Sequence, residues 1–426
     1  MRVAVVGGGF GGLAAAVRLA KLGHEVTLVE RAAALGGALS TVDEDGFTWD
    51  AGPTYTLLPA VVRDLFRKSG RPLERELDLV PLDIVREHRF ADGSSVRLPA
   101  GRAEQQAAFD QLGPGLGERW LEHVASYADD WDVLRRGYLE NPWDPAALPP
   151  ELAARLDSRE MLHRRLRRTF KDERLRLVAG HPFAADGHDL RNVPAWLGVV
   201  SYVEQRFGAW TVEGGMARLG TALVERLATR GVTAMTGTEV LDLVVRDGRA
   251  VAVRTTSGQV DADAVVCAID PRRLPALAPY VARTMPAMPP VVVHVGLDGP
   301  APDLPHELVL HGDPTLVVRR HGPRTLTVHG RGRLSEDILR ALARHRIDLR
   351  AQVVARVDRS PRDQVELWGS SPLGVLWQGR GTVRERLGPR TPLAGVYAAG
   401  AHATPGAGLP FVGLSAALVA TEIGPA

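Results

Sequence analysis

MRVAVVGGGFGGLAAAVRLAKLGHEVTLVE, residues 1–30, decides how the rest of the chain is read. Arg2 to Val6 has the apolar run of a short strand buried in a parallel sheet. Gly7, Gly9 and Gly12 then form a G-x-G-x-x-G turn, Leu13 to Leu22 a helix capped by Gly23, and Glu25 to Val29 a second strand ending at Glu30. Each glycine has its own physical task. Gly7 allows the tight strand-to-helix turn, Gly9 lets the backbone approach a pyrophosphate, and Gly12 lets the helix lie close to the sheet. The pyrophosphate would rest on the positive end of the helix dipole, where free N–H groups point at it. Glu30 is placed to accept hydrogen bonds from both hydroxyls of an adenosine ribose. Among 45 glycines an isolated spacing of this kind means little, but here strand, turn, helix, strand and acid fall in order.

Working outward, the next segment separates nicotinamide from flavin. Arg31 to Ala38 brings a second glycine pair, Gly36-Gly37, and Gly46 to Pro53 brings a short strand (Phe47 to Trp49) followed by Asp50-Ala51-Gly52-Pro53. A nicotinamide domain runs from its ribose-binding acid into an ordinary crossover. A second stretch of glycine backbone against the cofactor suits a longer molecule, FAD. Three later blocks fit the same reading. Gly208 to Met216 precedes a helix from Ala217 to Thr229. Thr238 to Arg246 and Ala250 to Thr255 read as a hairpin, and Asp263 to Ile269 as a strand. Near the C-terminus, Gly395 to Gly400 is a buried strand ending in a glycine turn, and Thr404 to Phe411 leads into a small-residue helix from Val412 to about Ile423, with Pro410 suited to its first turn. The positive end of that helix would face the flavin and stabilise the anion formed on reduction.

A chain of 426 residues predicts two domains. A hydrophobic share of 45% and a charged share of 24% are those of an ordinary globular protein, and a formal charge of +2 argues against a nucleic-acid binder. The single cysteine, Cys267, excludes an internal disulfide and a Cys-cluster metal site, and its strand setting predicts a buried, inert thiol. With Met1 one residue from the first strand and no apolar run of the roughly 18 residues a bilayer span needs, the expected location is cytoplasmic.

These blocks together resemble the bacterial phytoene desaturases within the amine-oxidase-like FAD flavoproteins. The resemblance rests on VAVVGGGFGGLAAAVRLAKLGHEVTLVE, GFTWDAGP, SYVEQRFGAWTVEGGMARL, DAVVCAIDP and VYAAGAHATPGAGLPFVGLSAA, in that order along the chain. It implies an α/β fold: a discontinuous Rossmann-type FAD-binding domain (1–75, 205–286 and 366–426) with an inserted α+β substrate-binding domain (76–204 and 287–365). It also implies that the residues against FAD are Gly7, Gly9, Phe10, Gly11, Gly12, Glu30, Arg31, Gly36, Gly37, Ala38, Gly52, Pro53, Val240, Gly400, Ala401, Gly408, Leu409 and Pro410. The expected activity is hydride transfer from a hydrophobic, isoprenoid or carotenoid-like substrate to flavin N5. Ala38 stands where the family pattern has arginine, and Phe411 where a small residue is more typical; both departures bear on the substrate end.

No Ser-His-Asp order or metal-ligand spacing presents itself, and His181 with His188 lacks the acids of a metal site. Two residues are candidates to accept a proton: Glu213, beside Gly214-Gly215, and His402, beside the C-terminal glycines. For both, a surface or structural role is the competing reading. No second dinucleotide unit follows, so electrons are expected to leave to an external acceptor: oxygen, a quinone or a carrier. Arg159 to Leu177 reads as a basic amphipathic helix, which either lies on an anionic membrane or packs on its own domain with a solvated arginine face. Two other functions remain open: oxidation of an amine or another secondary metabolite on the same fold, and a non-catalytic lipid-binding relative. The intact Gly7, Gly9, Gly12 and Glu30 count against the second.

Overall fold

The computed structural model describes residues 1–142 and 144–426. At its centre lies a five-stranded sheet ordered Val396–Ala398, Ala264–Cys267, Arg2–Val6, Glu25–Val29, Thr233–Met235, parallel at every junction. The central strands are buried on both faces, which is why VAVV and AVVC read as continuous apolar runs rather than alternating ones. Helix Phe10–Lys21 covers one face. Its Ala14, Ala15 and Ala16 are completely buried, because helix Leu409–Ile423 and helix Ala217–Thr229 approach it closely enough to leave no room for larger side chains. Gly23 follows the helix with φ +96°, the left-handed conformation a capping glycine supplies.

A second, mixed sheet of seven strands is ordered Val353–Arg359, Val291–Leu297, Thr325–Arg331, Thr315–Arg320, Glu307–Leu310, Ile84–Arg89, Ser95–Pro99. A helical layer from residues 102–207 builds its own core around Phe109, Trp120, Tyr127, Tyr138, Phe170 and Trp196. Val240–Arg246, Arg249–Thr255 and Gly258–Asp261 form a separate antiparallel meander beside the central sheet. Strand Phe47–Asp50 pairs with Thr41–Glu44 and packs on the seven-stranded sheet: Trp49 is buried, and its Nε1 donates to the Val295 carbonyl at 3.1 Å.

The basic stretch 159–177 is not one helix. Helix Leu162–Thr169 ends where Phe170 turns extended (φ −114°, ψ 122°), and a second helix, Glu173–Ala185, starts under the Asp172 cap. The break follows from packing: the Phe170 ring is buried against Trp120 and His123, which the helical path would not reach. Arg174 turns back to Asp172 and Arg165 lies over the Tyr127 ring, so several of the cations are internally occupied. Among the described residues no helix is long and apolar enough to cross a membrane.

Candidate cofactor and substrate site

The glycine turn between the first strand and helix Phe10–Lys21 is built by close approach. Gly7 has φ +104°, and a Cβ there would lie 2.5 Å from Ile269 Cγ2. A Cβ on Gly12 would overlap the Gly7 carbonyl oxygen. Gly9 differs: a Cβ there would meet no atom within 4 Å, so the turn opens at this position into free space above the helix N-terminus. The second glycine pair closes on the same spot. Gly36 N donates to Gly8 O at 2.9 Å, and a Cβ on Gly37 would lie 3.0 Å from Gly9 Cα. The backbone of residues 36–37 thus forms one wall of the space over Gly9.

Glu30 closes the adenosine side. One carboxylate oxygen accepts from Gly8 N at 2.6 Å and the other from Ala32 N at 2.8 Å, which orients the group and leaves further lone pairs for hydroxyl donors. Beside it a hollow of about 40 Å³ is lined by Val6, Gly7, Val29, Arg31, Val240 and Trp368, among others. Arg31 donates to the Glu366 and Leu367 carbonyls and so fixes helix Pro361–Trp368 over this end.

At the other end, Gly400 (φ +95°) ends the last strand of the central sheet. Its N–H donates to Ser415 Oγ at 2.8 Å, and a Cβ on Gly11 would come 2.7 Å from Gly400 Cα. Ala401 packs against the core of the central sheet. Helix Leu409–Ile423 begins after Gly408 (φ +101°), with Pro410 in the first turn, where its missing N–H leaves no helical bond unmade. Residues 408–412, Phe10, Ala38, Gly52 and Pro53 line a cavity of about 340 Å³. The space over Gly9, the helix N-terminus and this cavity together suit an extended dinucleotide carrying a flat ring system.

Asp50 has a task that its sequence position did not reveal. Its carboxylate accepts from Met216 N (3.0 Å) and Ala217 N (2.8 Å), and so caps helix Ala217–Thr229 from 166 positions away. Gly215 (φ +106°) lets the chain pass within reach of it. The DAGP turn and the EGGM turn are thereby one joint under the cavity.

The cavity wall opposite the C-terminal helix carries charges that the sequence reading did not anticipate. Tyr55, His181, Asp186, Glu307, Arg319 and His329 line it, along with apolar Leu57, Val292 and Val317. Behind them, buried Arg86 donates to both oxygens of Glu204 (3.1 and 2.5 Å) and to Glu307 (3.2 Å), and Arg319 donates to Glu307 at 2.9 Å. Two cations face two anions, so this group is internally neutral. Burial opposes ionisation of Glu307, but Arg319, His181 and Arg86 outweigh it and hold its carboxyl well below the ordinary range. Burial pushes the Tyr55 phenol up to about 12 and lowers His181 and His329, leaving both imidazoles neutral. Asp186 stands apart. It closes the C-terminal end of helix Glu173–Ala185, and burial pushes its carboxyl up to about 6 against the pull of Arg319 and Arg331. The only sequence signal for this wall is alternation: Val317 and Arg319 share one face of their strand, as do His329 and Arg331.

Neither candidate proton acceptor from the sequence reaches the cavity. Glu213 is exposed, and its backbone carbonyl holds Arg218. His402 is buried, with Nε2 3.1 Å from the Ser371 carbonyl and Nδ1 3.3 Å from Arg272; burial lowers its pKa although Asp270 opposes this. Both side chains are engaged elsewhere or turned away, for reasons of packing that no spacing rule contains. Among the described residues no group of three or more His, Cys, Asp or Glu is placed to hold a metal.

The profile of the flavin containing amine oxidoreductases matches residues 10–423. The chain belongs to that family. FAD is its cofactor. The chain is 27% identical to a 4,4'-diapolycopene oxygenase of Methylomonas sp over 99% of its own length and 98% of that protein's. It is 34% identical to a zeta-carotene-forming phytoene desaturase of Myxococcus xanthus over 63% of its own length, an alignment that spans 53% of the desaturase. The chain spans little more than half the length of this desaturase and of the phytoene and hydroxyneurosporene desaturases of Cereibacter sphaeroides. In structure it resembles the cyclohexylamine oxidase of Brevibacterium oxydans IH-35A, with a TM-score of 0.67, 20% identity and 99% of each chain covered. At that identity the likeness speaks for the fold.

Proposed function

We propose that the protein oxidises a hydrophobic, carotenoid-like polyene at a carbon–carbon bond, with hydride passing to FAD. The observation that carries this reading is the cavity itself: the residues of the flavin end and the apolar residues Leu57, Val292, Val317 and Phe411 line one continuous space. The names of the relatives support the same substrate class. A volume of about 340 Å³ lies at the lower end of the roughly 300–1,000 Å³ of ligand sites. It suits the segment of a long polyene around the reacting bond, the remainder lying outside.

The flavin supplies a two-electron acceptor. The chain's own residues do the rest. The N-terminus of helix Leu409–Ile423 presents its positive end to the cavity, favouring negative charge there. Phe10, Leu57 and Phe411 exclude water and align the apolar chain. Electrons then leave to an external acceptor (oxygen, a quinone or a carrier). A peripheral membrane contact through exposed Arg164, Arg167, Arg168 and Lys171 would bring the chain to where such substrates dissolve.

Anaerobic stopped-flow measurement of flavin bleaching tests this reading, with phytoene in detergent micelles against cyclohexylamine. Bleaching by phytoene alone is expected. Bleaching by the amine and not by the polyene would transfer the reading to amine oxidation.

A further inference from the structure

Among the described residues, Asp186 is the one carboxylate of the cavity wall that receives no hydrogen bond. Glu307 is committed to Arg86 and Arg319, and Tyr55 accepts from Arg86. The Asp186 carboxylate receives no hydrogen bond from any described residue, yet it faces the same space as Gly52, Pro53 and residues 408–412. Its position is costly twice over: it is half-buried in the cavity wall, where lost solvation disfavours its charge, and it closes the negative end of a helix. Arg331 donates to the Ala185 carbonyl at 2.9 Å and to the Met288 carbonyl at 2.9 Å, so that cation is tied to backbone rather than paired with Asp186. A group kept unpaired in such a place is suited to exchanging a proton.

We propose that Asp186 is the proton acceptor of the reaction, taking the proton from the carbon next to the one that gives up its hydride. The inference rests on the polyene reading above. One C–H bond breaks with its electron pair leaving as hydride to the oxidised flavin. The neighbouring C–H bond breaks with its electrons forming the new C=C bond, and its proton bonds to an Asp186 oxygen. The acid formed then passes that proton to water.

The groups facing Asp186 make this exchange practicable at ordinary pH. From its own helix comes neutral His181; from the sheet come Arg319, Arg331, neutral His329 and ionised Glu307. Burial raises the carboxyl, the two arginines moderate the rise, and Glu307 adds to it, giving about 6. A base with an affinity near the working pH is both ionised and effective. Glu307 is too weak a base, and Tyr55 keeps its proton.

The test compares FAD-loaded wild type, Asp186→Asn and Asp186→Glu in anaerobic bleaching by phytoene micelles across pH. Wild type should gain rate as pH rises, with a midpoint near 6. Asp186→Asn should be slower by about 10²-fold and lack that limb, with FAD content and the dependence on phytoene concentration unchanged. Asp186→Glu should recover part of the rate. A second readout needs no substrate: the infrared carboxylic-acid signal present in wild type and missing in Asp186→Asn should vanish with the same midpoint. Rates within about threefold of wild type, a retained pH limb, or an infrared midpoint in the ordinary carboxylate range would each overturn the proposal. If phytoene fails and cyclohexylamine bleaches the wild type, the polyene reading falls, and the same three proteins measured with the amine decide Asp186 separately.

Discussion

Replacing Asp186 by Asn should stabilise the FAD-free protein at pH 8 while leaving its stability nearly unchanged at pH 4. The folded carboxyl is pushed from 3.8 to about 6. At about 1.4 kcal/mol per pKa unit, ionising it costs the native state up to about 3 kcal/mol. The sign follows from proton affinity. An acid raised in the folded state holds its proton more tightly there than in the unfolded chain. Wild-type stability is therefore greatest while the proton is bound and declines as pH rises from about 4 through about 6. The carboxamide has nearly the same volume and does not titrate. The advantage of the variant should thus grow across that window, reaching roughly half its full size at pH 5 and levelling off above pH 7. Urea unfolding of both proteins at pH 4, 5, 7 and 8 measures it. Equal stabilities at pH 8, or a gain of the same size at every pH, would refute the placement of Asp186 in a poorly solvated, unpaired setting. The expected result is also a trade of stability for activity, common where a site needs a strained group.

Gly9→Ala should fold with unchanged thermal stability and yet retain little FAD after purification, because the added methyl meets no protein atom and occupies the space above the helix N-terminus. Gly12→Ala should be destabilised even without cofactor, since its methyl overlaps the Gly7 carbonyl; equal FAD content in Gly9→Ala and wild type would displace the cofactor from this turn. Asp50→Ala removes the acceptor for Met216 N and Ala217 N and should cost about 1–2 kcal/mol in urea unfolding, with Asp50→Asn losing less. Glu307→Gln leaves buried Arg86 and Arg319 short of a counter-charge and should cost about 3–5 kcal/mol, a loss that a surface ion pair would not produce.

The first thirty residues were legible because each obeys a local rule: period and apolarity for the strands, small side chains for the close helix, positive φ for Gly7 and Gly23. The C-terminal block was legible for the same reason, although its helix starts at Leu409, three residues before Val412, because Pro410 fits inside the first turn. What escaped the sequence depends on contacts between distant segments. Asp50 announces a turn but caps a helix that lies far along the chain, and Arg86, Glu204, Glu307 and Arg319 meet only when three separate stretches fold together. The basic run 159–177 misled because helical spacing of Leu162, Leu166 and Phe170 says nothing of the ring stack that pulls Phe170 out of the helix. Glu213 and His402 adjoin the right glycines but point elsewhere, since neighbours along a chain need not share a side of it.

The near contact of Gly11 with Gly400 ties together two segments nearly 400 residues apart at the proposed cofactor cradle. During synthesis, then, the glycine turn emerges long before residues 396–423 and waits, its helix uncovered, until they seat against it. Flavin capture must therefore follow the emergence of residues 396–423 rather than guide early folding. Ribosome-stalled chains ending before Leu409 should be unable to hold FAD, and chains extended by a linker beyond Ala426 should acquire it; flavin fluorescence of the stalled complexes would separate the two.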